Sequence, residues 1–136
     1  MEVKYTIPAP VSEVYPFFAD LIKFGDAHPI IFQVDDLGND EYLIHEELNM
    51  LIYKHRFTYK AQITGRELNK KVTMYSNVQK GVYLNLTFLF SEVNGHTVID
   101  ETIDVKAMAP VKWIFHPILK KSHLQLVNEI KKRISK

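Results

Sequence analysis

Glu101 stands between Ile99 and Ile103 in a run that alternates apolar and polar residues, so its carboxylate falls on the side of a strand that turns inward. His55, between Tyr53 and Phe57, and Glu46, between Ile44 and Leu48, occupy the same kind of position. A carboxylate withdrawn from water into apolar surroundings keeps its proton closer to neutral pH, and a histidine beside it can complete a proton relay. The three residues are therefore candidates for proton transfer. The alternative is ordinary: a polar side chain hydrogen-bonded to a neighbour, or one that meets water at a cavity mouth. A one-residue slip in strand register also turns any of them to the other face. No catalytic residue is assigned on this ground alone.

Other chemistries find no support. The six histidines, His28, His45, His55, His96, His116 and His123, never form a close pair on one face, so no metal site is expected. There is no cysteine, which excludes disulfides and thiolate ligands. Neither a glycine-rich phosphate loop nor a Gly-x-Ser-x-Gly elbow occurs, and no cofactor is expected. Net charge is +1, and the residues facing away from the apolar sides of the strands carry scattered charge of both signs, which argues against nucleic acid as a partner.

The elements that must position these residues are legible from periodicity. Alternating segments over 30–36, 41–50, 53–64, 71–79, 82–93 and 96–107 read as strands, with a short strand at Lys4–Ile7 before them. Gly38, Gly65, Gly81 and Gly95 fall between segments, and Asn94-Gly95 is a strong hairpin signal because both turn positions need positive φ. In 53–64 the inner face is Tyr53, His55, Phe57, Tyr59, Ala61 and Ile63; in 82–90 it is Val82, Leu84, Leu86, Phe88 and Phe90. One apolar and one wet face per strand describe an antiparallel sheet covered on one side. A helix opened by prolines and Ser12 is expected within Pro8–Asp20, with Pro16 shortening or bending it, and a second over Asp20–Phe24, stopped by Gly25. The cover for the sheet is the last stretch, Ala109–Lys136. Its apolar stripe runs through Val111, Ile114, Phe115 and Ile118, then shifts about 100° after Pro117 to Leu119, His123, Leu126, Val127, Ile130 and Ile134. A kink or fresh helix start at Pro117 is expected.

At 136 residues, 46% hydrophobic and 24% charged, the chain is expected to form one domain, 1–136. No apolar run approaches a membrane span, and Met1-Glu2-Val3-Lys4-Tyr5 lacks the plan of a signal peptide, so a cytoplasmic protein is the simplest expectation. Residues 110–136 carry seven basic side chains against the single acid Glu129, a segment charge of +6 that leaves −5 for the rest. This basic helix end is either a solvated face near the negative end of the helix dipole or a weak contact for an anionic surface or a protein. Trp113 falls on the opposite side of the helix from Val111 and Phe115, as an exposed anchor or simply a lone exposed aromatic.

Several short motifs converge on one family. They are Ile7-Pro8-Ala9-Pro10-Val11-Ser12-Glu13-Val14-Tyr15, then Asp20-Leu21 and His28-Pro29, then Asn94-Gly95-His96-Thr97-Val98 entering the last strand, and the proline-started final helix. Over essentially its whole length the chain resembles the START-like superfamily, also called SRPBCC, which includes polyketide cyclases, birch-pollen-type allergens and lipid-transfer domains. The resemblance implies an α+β helix-grip fold: a curved antiparallel sheet of six to seven strands around a long C-terminal helix, with two short helices after the first strand. It further implies a cavity between sheet and helix that takes a small hydrophobic ligand such as a lipid or polyketide. The residues expected to line it are His55, Phe57, Tyr59, Leu86, Phe88, Glu101, Ile103, Ile114, Phe115 and Ile118. Two other activities are consistent with the resemblance. One is a polyketide cyclase/dehydrase-like enzyme moving protons through Glu101 or His55. The other is a protein-interaction module of the chaperone-activator type, with Trp113 and the basic helix end as the contact.

Overall fold

The computed structural model of the protein describes residues 1–49 and 54–135. Among these residues the order is β1 (Glu2–Ile7), α1 (Val11–Val14), α2 (Pro16–Ala19), α3 (Leu21–Ala27), β2 (Ile31–Gly38), β3 (Glu41–Asn49), β4 (Lys54–Glu67), β5 (Lys71–Gln79), β6 (Val82–Val93), β7 (His96–Lys106) and α4 (Ala109–Ile134). The strands form one antiparallel sheet in the order β1-β7-β6-β5-β4-β3-β2. Only β1 is out of sequence, closing onto β7 with Glu2 opposite Thr102 and Ile7 opposite Thr97. Short turns join β2 to β3, β4 to β5, β5 to β6 and β6 to β7, and Asn94 and Gly95 both take positive φ (52° and 77°) at the β6–β7 hairpin, as that dipeptide requires. Residues 50–53, including Tyr53 of the expected inner face, lie outside the described residues.

Three expectations about breaks in the chain need correction. Pro16 does not bend one helix but divides it: lacking the N–H that would reach back one turn, it ends α1 at Val14 and starts α2 as its first residue. Three short helical segments therefore stand where two were expected. Gly25 does not stop the next helix, which runs on to Ala27. Its place is explained by packing, since a Cβ there would collide with Val34 Cγ2 and lie 3.2 Å from Ile31 Cγ2. Gly65 is not a turn residue either. It sits inside β4 where the register against β5 shifts between Ile63 and Gly65, and the turn comes later, with Asn69 at φ 58°.

The inner face of the sheet is covered unevenly. Beneath α1–α3, the rings of Phe18 and Phe88 (centroids 4.9 Å apart), Phe90 (5.4 Å from Phe18) and Phe24 (6.0 Å from Phe18) form a packed aromatic core. The second half of α4 completes this region with Ser122, His123, Leu126, Val127 and Ile130, all buried. The first half behaves differently. No residue from Ala109 to Lys121 is fully buried, and Val111, Phe115, Ile118 and Leu119 are only partly covered. Pro117 lies near this change, but α4 passes through it as one helix rather than starting afresh. The rotation of the apolar stripe is thus realised as a change in how deeply α4 sits on the sheet.

Candidate functional site

Under the first half of α4 the core is incompletely filled. An outer cavity of about 30 Å³ is lined by Leu48 of β3, Phe57 of β4, Val78 and Val82 across the β5–β6 turn, Val105 of β7, and Phe115 and Ile118 of α4. An inner cavity of about 40 Å³ lies deeper, among Leu21, Phe24, His28, Ile44, Ala61, Met74, Ser76, Leu86, Ser122 and His123. Ile30, Glu46, Tyr59, Leu84 and Leu119 border both. Spaces of this size hold a few water molecules at most. A larger guest requires the loosely seated half of α4 to move outward.

Glu46 and Tyr59 form the partition between the two cavities. Antiparallel pairing of β3 and β4 sets Ile44 opposite Tyr59 and Glu46 opposite Phe57, so the two polar side chains lie diagonally on one face. The Tyr59 hydroxyl donates a hydrogen bond to Glu46 Oε2. Glu46 is 8% exposed, and burial raises its pKa from 4.5 to about 7, although the bond from Tyr59 and the nearby His123 pull the other way. Tyr59 is pushed well above the ordinary phenol value by burial and by the Glu46 charge. The carboxyl bordering both spaces thus changes charge close to neutral pH.

Glu101 has a different environment. It is 1% exposed and accepts from the Tyr5 hydroxyl (3.1 Å) on one oxygen, while the other lies 2.5 Å from His123 Nδ1. Burial and the Glu101 charge push the Tyr5 hydroxyl well up. Its polar partners come from β1 and α4, and together they form a satisfied cluster in the packed half of the domain. His123 extends from that cluster to the wall of the inner cavity, where His28 faces it edge-on with ring centroids 5.8 Å apart. His28 Nδ1 accepts from the Ile30 N–H (3.3 Å), and burial together with His123 depresses its pKa well below 6.5.

Of the ten residues expected to line a ligand space, Phe57, Tyr59, Leu86, Phe115 and Ile118 border one or both cavities. Phe88, Glu101 and Ile103 are buried inward but border neither: Phe88 belongs to the aromatic core, Glu101 to its own cluster. His55 shares the face of Phe57, stacked 5.5 Å from it, but lies at the exposed start of β4. Ile114 is 61% exposed, because it sits about 100° around the helix from Phe115. Sequence reasoning did not single out Ser76 or Ser122, and used His28 only within the His28-Pro29 motif. His123 was readable on the helix stripe, though not its pairing with Glu101. On the wet face, Asp35, His45 and Thr58 form a hydrogen-bonded chain (2.7 and 3.1 Å) that borders neither cavity. Among the described residues no group of three His, Asp or Glu side chains is placed to hold a metal ion, and no helix is long and apolar enough to cross a membrane.

Trp113 is 71% exposed, as its position on the wheel requires. It stands about 27 Å along α4 from Lys131 at 1.5 Å per residue. Within the basic end, Arg133 is held by Asp26, with 2.7 Å to its carboxylate and 2.9 Å to its carbonyl. A single contact using both Trp113 and that end would have to span most of the helix.

No family model matches the sequence, and no curated protein is detectably similar to it. Solved structures are. A conserved protein from Geobacillus kaustophilus superposes with a TM-score of 0.78 at 13% identity, covering 98% of this chain and 93% of its own. Ara h 8.0201 gives 0.73 at 13% identity, over 98% and 95% of the two chains. The Zhui aromatase/cyclase from Streptomyces sp. R1128 gives 0.68 at 10% identity, over 98% and 91%. The chain has the helix-grip fold that these structures share. At these identities the likeness concerns the fold. The arrangement of polar groups in this helix-grip domain rests on its own residues.

Proposed function

We propose that this helix-grip domain binds a small hydrophobic molecule, such as a lipid or polyketide, between the sheet and the first half of α4. The observation that carries the reading is a pair of adjoining, mainly apolar cavities, the outer one beneath the first half of α4, which buries no residue fully, and the inner one running on to Ser122 and His123. Apolar enclosure supplies affinity, and a few polar groups set orientation. Glu46 and Tyr59 are those groups, since they border both spaces. Pro117 supports the required movement: it gives the helix no N–H for the carbonyl one turn earlier, which lowers the cost of shifting the preceding segment. The fold is also that of an aromatase/cyclase and of Ara h 8.0201, proteins of quite different description. Native mass spectrometry of freshly purified protein, before and after organic extraction, tests the reading. A discrete extra mass that extraction removes is expected. A clean apo mass, together with no uptake of added 1-decanol, rejects it.

A second reading is favoured by one observation. Glu46 has a pKa of about 7 and lines the cavities, as a proton-transfer group on a bound carbonyl compound would. In this reading the role falls to Glu46 rather than to Glu101 or His55, which border neither space. The check is exchange of the α-protons of 2-decanone in deuterated buffer, followed by NMR. Catalysed exchange that Glu46→Gln abolishes supports it, and exchange no faster than in buffer alone rejects it.

A further inference from the structure

We infer that the outer face of the first half of α4 is a docking surface for a bilayer that carries anionic lipids. The inference goes beyond the ligand-binding reading and does not depend on it.

It starts from apolar side chains that the fold leaves in water. Met108 is 79% exposed, Trp113 71%, Ile114 61% and Leu124 50%. A single exposed apolar residue calls for no partner, but these residues are neighbours. At about 100° per residue, Trp113, Pro117 and Leu124 fall within about 40° of one another around α4. Pro110 and Ile114, both exposed, continue the arc, and Met108 caps the same end of the helix. The arc lies opposite Phe115 and Leu126, which pack toward the sheet, and it borders neither cavity. Nothing inside the domain accounts for it.

Charge identifies the partner. Lys120 and Lys121, both exposed, lie within or beside this arc. Between Asp104 and Glu129 the chain has four lysines and no acid. Two copies meeting through this face about a two-fold axis would bring their lysines together, which opposes self-association. A bilayer surface with anionic lipids suits every part. A helix lying in the interface plane buries its apolar face there, an indole belongs at headgroup level, and lysine stems reach past apolar contacts to the phosphates. No helix among the described residues is long and apolar enough to cross a membrane, and the inferred contact is a surface one. Docking sets the loosely seated half of α4, and the outer cavity beneath it, against the bilayer.

Trp113 is the only tryptophan, so its fluorescence reports on this face alone. The protein is titrated with phosphatidylcholine vesicles, with and without about 30% phosphatidylserine. A blue shift, with quenching by brominated acyl chains, is expected on the anionic vesicles. Each lysine at such a surface is worth about fivefold, so two predict binding about 30-fold tighter than to neutral vesicles. Lys120→Glu with Lys121→Glu is expected to abolish that preference. Ile114→Gln with Leu124→Gln keeps the charge and removes apolar contact, and is expected to weaken binding about tenfold. No blue shift on anionic vesicles, or equal binding to both kinds, overturns the inference with the wild-type protein alone. A blue shift that grows with protein concentration without lipid marks a second copy as the occupant and also overturns it. So does unchanged binding by the glutamine variant, which reduces the contact to adsorption of charge. The mass-spectrometric test of ligand binding uses no vesicles, and the two readings therefore fail separately.

Discussion

The charge of Glu46 near neutral pH has a consequence for stability that can be worked through. Its pKa is about 7 in the folded protein against an ordinary 4.5. Below pH 4.5 the carboxyl is protonated in both states and contributes no pH dependence. Between 4.5 and 7 the folded state keeps a proton that the unfolded state has released, so stability falls as pH rises. The slope is about 1.4 kcal/mol per pH unit, and across this window the loss comes to about 3 kcal/mol. Above pH 7 both states are ionised and the loss is complete. A glutamine side chain stays neutral throughout, so the Glu46→Gln variant carries none of this slope. Urea unfolding of the two proteins from pH 4.5 to 8, at constant ionic strength and after extraction, isolates the effect because every other titrating group is common to both. The variant is expected to gain about 3 kcal/mol relative to wild type over the range, equivalent to roughly 10 °C in Tm for a domain of this size. Stability curves that run parallel from pH 4.5 to 8 refute the reasoning. They would mean that the bond from Tyr59 and the proximity of His123 offset desolvation, and that Glu46 is an ordinary carboxylate.

Two further expectations concern the rest of the interior. Glu101→Leu leaves the Tyr5 hydroxyl and His123 Nδ1 without their buried partner, and should cost about 3 kcal/mol or more by urea unfolding. Adding His123→Leu and Tyr5→Phe removes the orphaned groups as well, and should recover at least half of the loss. Gly25→Ala drives a methyl into Val34 Cγ2 and to 3.2 Å from Ile31 Cγ2, on two stiff β-branched side chains, and should lower stability by about 1–3 kcal/mol in the same assay.

Much of this molecule is readable from the chain because the signals are local. Alternation places Phe57, Tyr59, Ala61 and Ile63 on one face whatever surrounds them. Asn94-Gly95 specifies its hairpin through φ alone, and stripes of period 3.6 on either side of Pro117 mark α4. The helix-grip order follows from these elements and the opening proline motif. Breaks were less legible where packing overrules local preference. Gly25 is required by its approach to Val34 rather than by a turn, and Gly65 serves a bulge inside a strand.

The site itself was decided by tertiary structure. Glu46 and Glu101 look alike in sequence, each on the apolar side of an alternating strand. What separates them is the strand order. β7 lies next to β1 in the packed half of the domain, which brings Glu101 to Tyr5, 96 residues away, and to His123, 22 residues away. β3 lies toward the opposite edge, where the loosely seated half of α4 leaves space, and Glu46 borders that space hydrogen-bonded to Tyr59. Periodicity determines which way a side chain points, since that depends on the geometry of its own element. Whether it then meets a carboxylate, a histidine or a cavity depends on elements distant in sequence, and only the assembled fold brings them together.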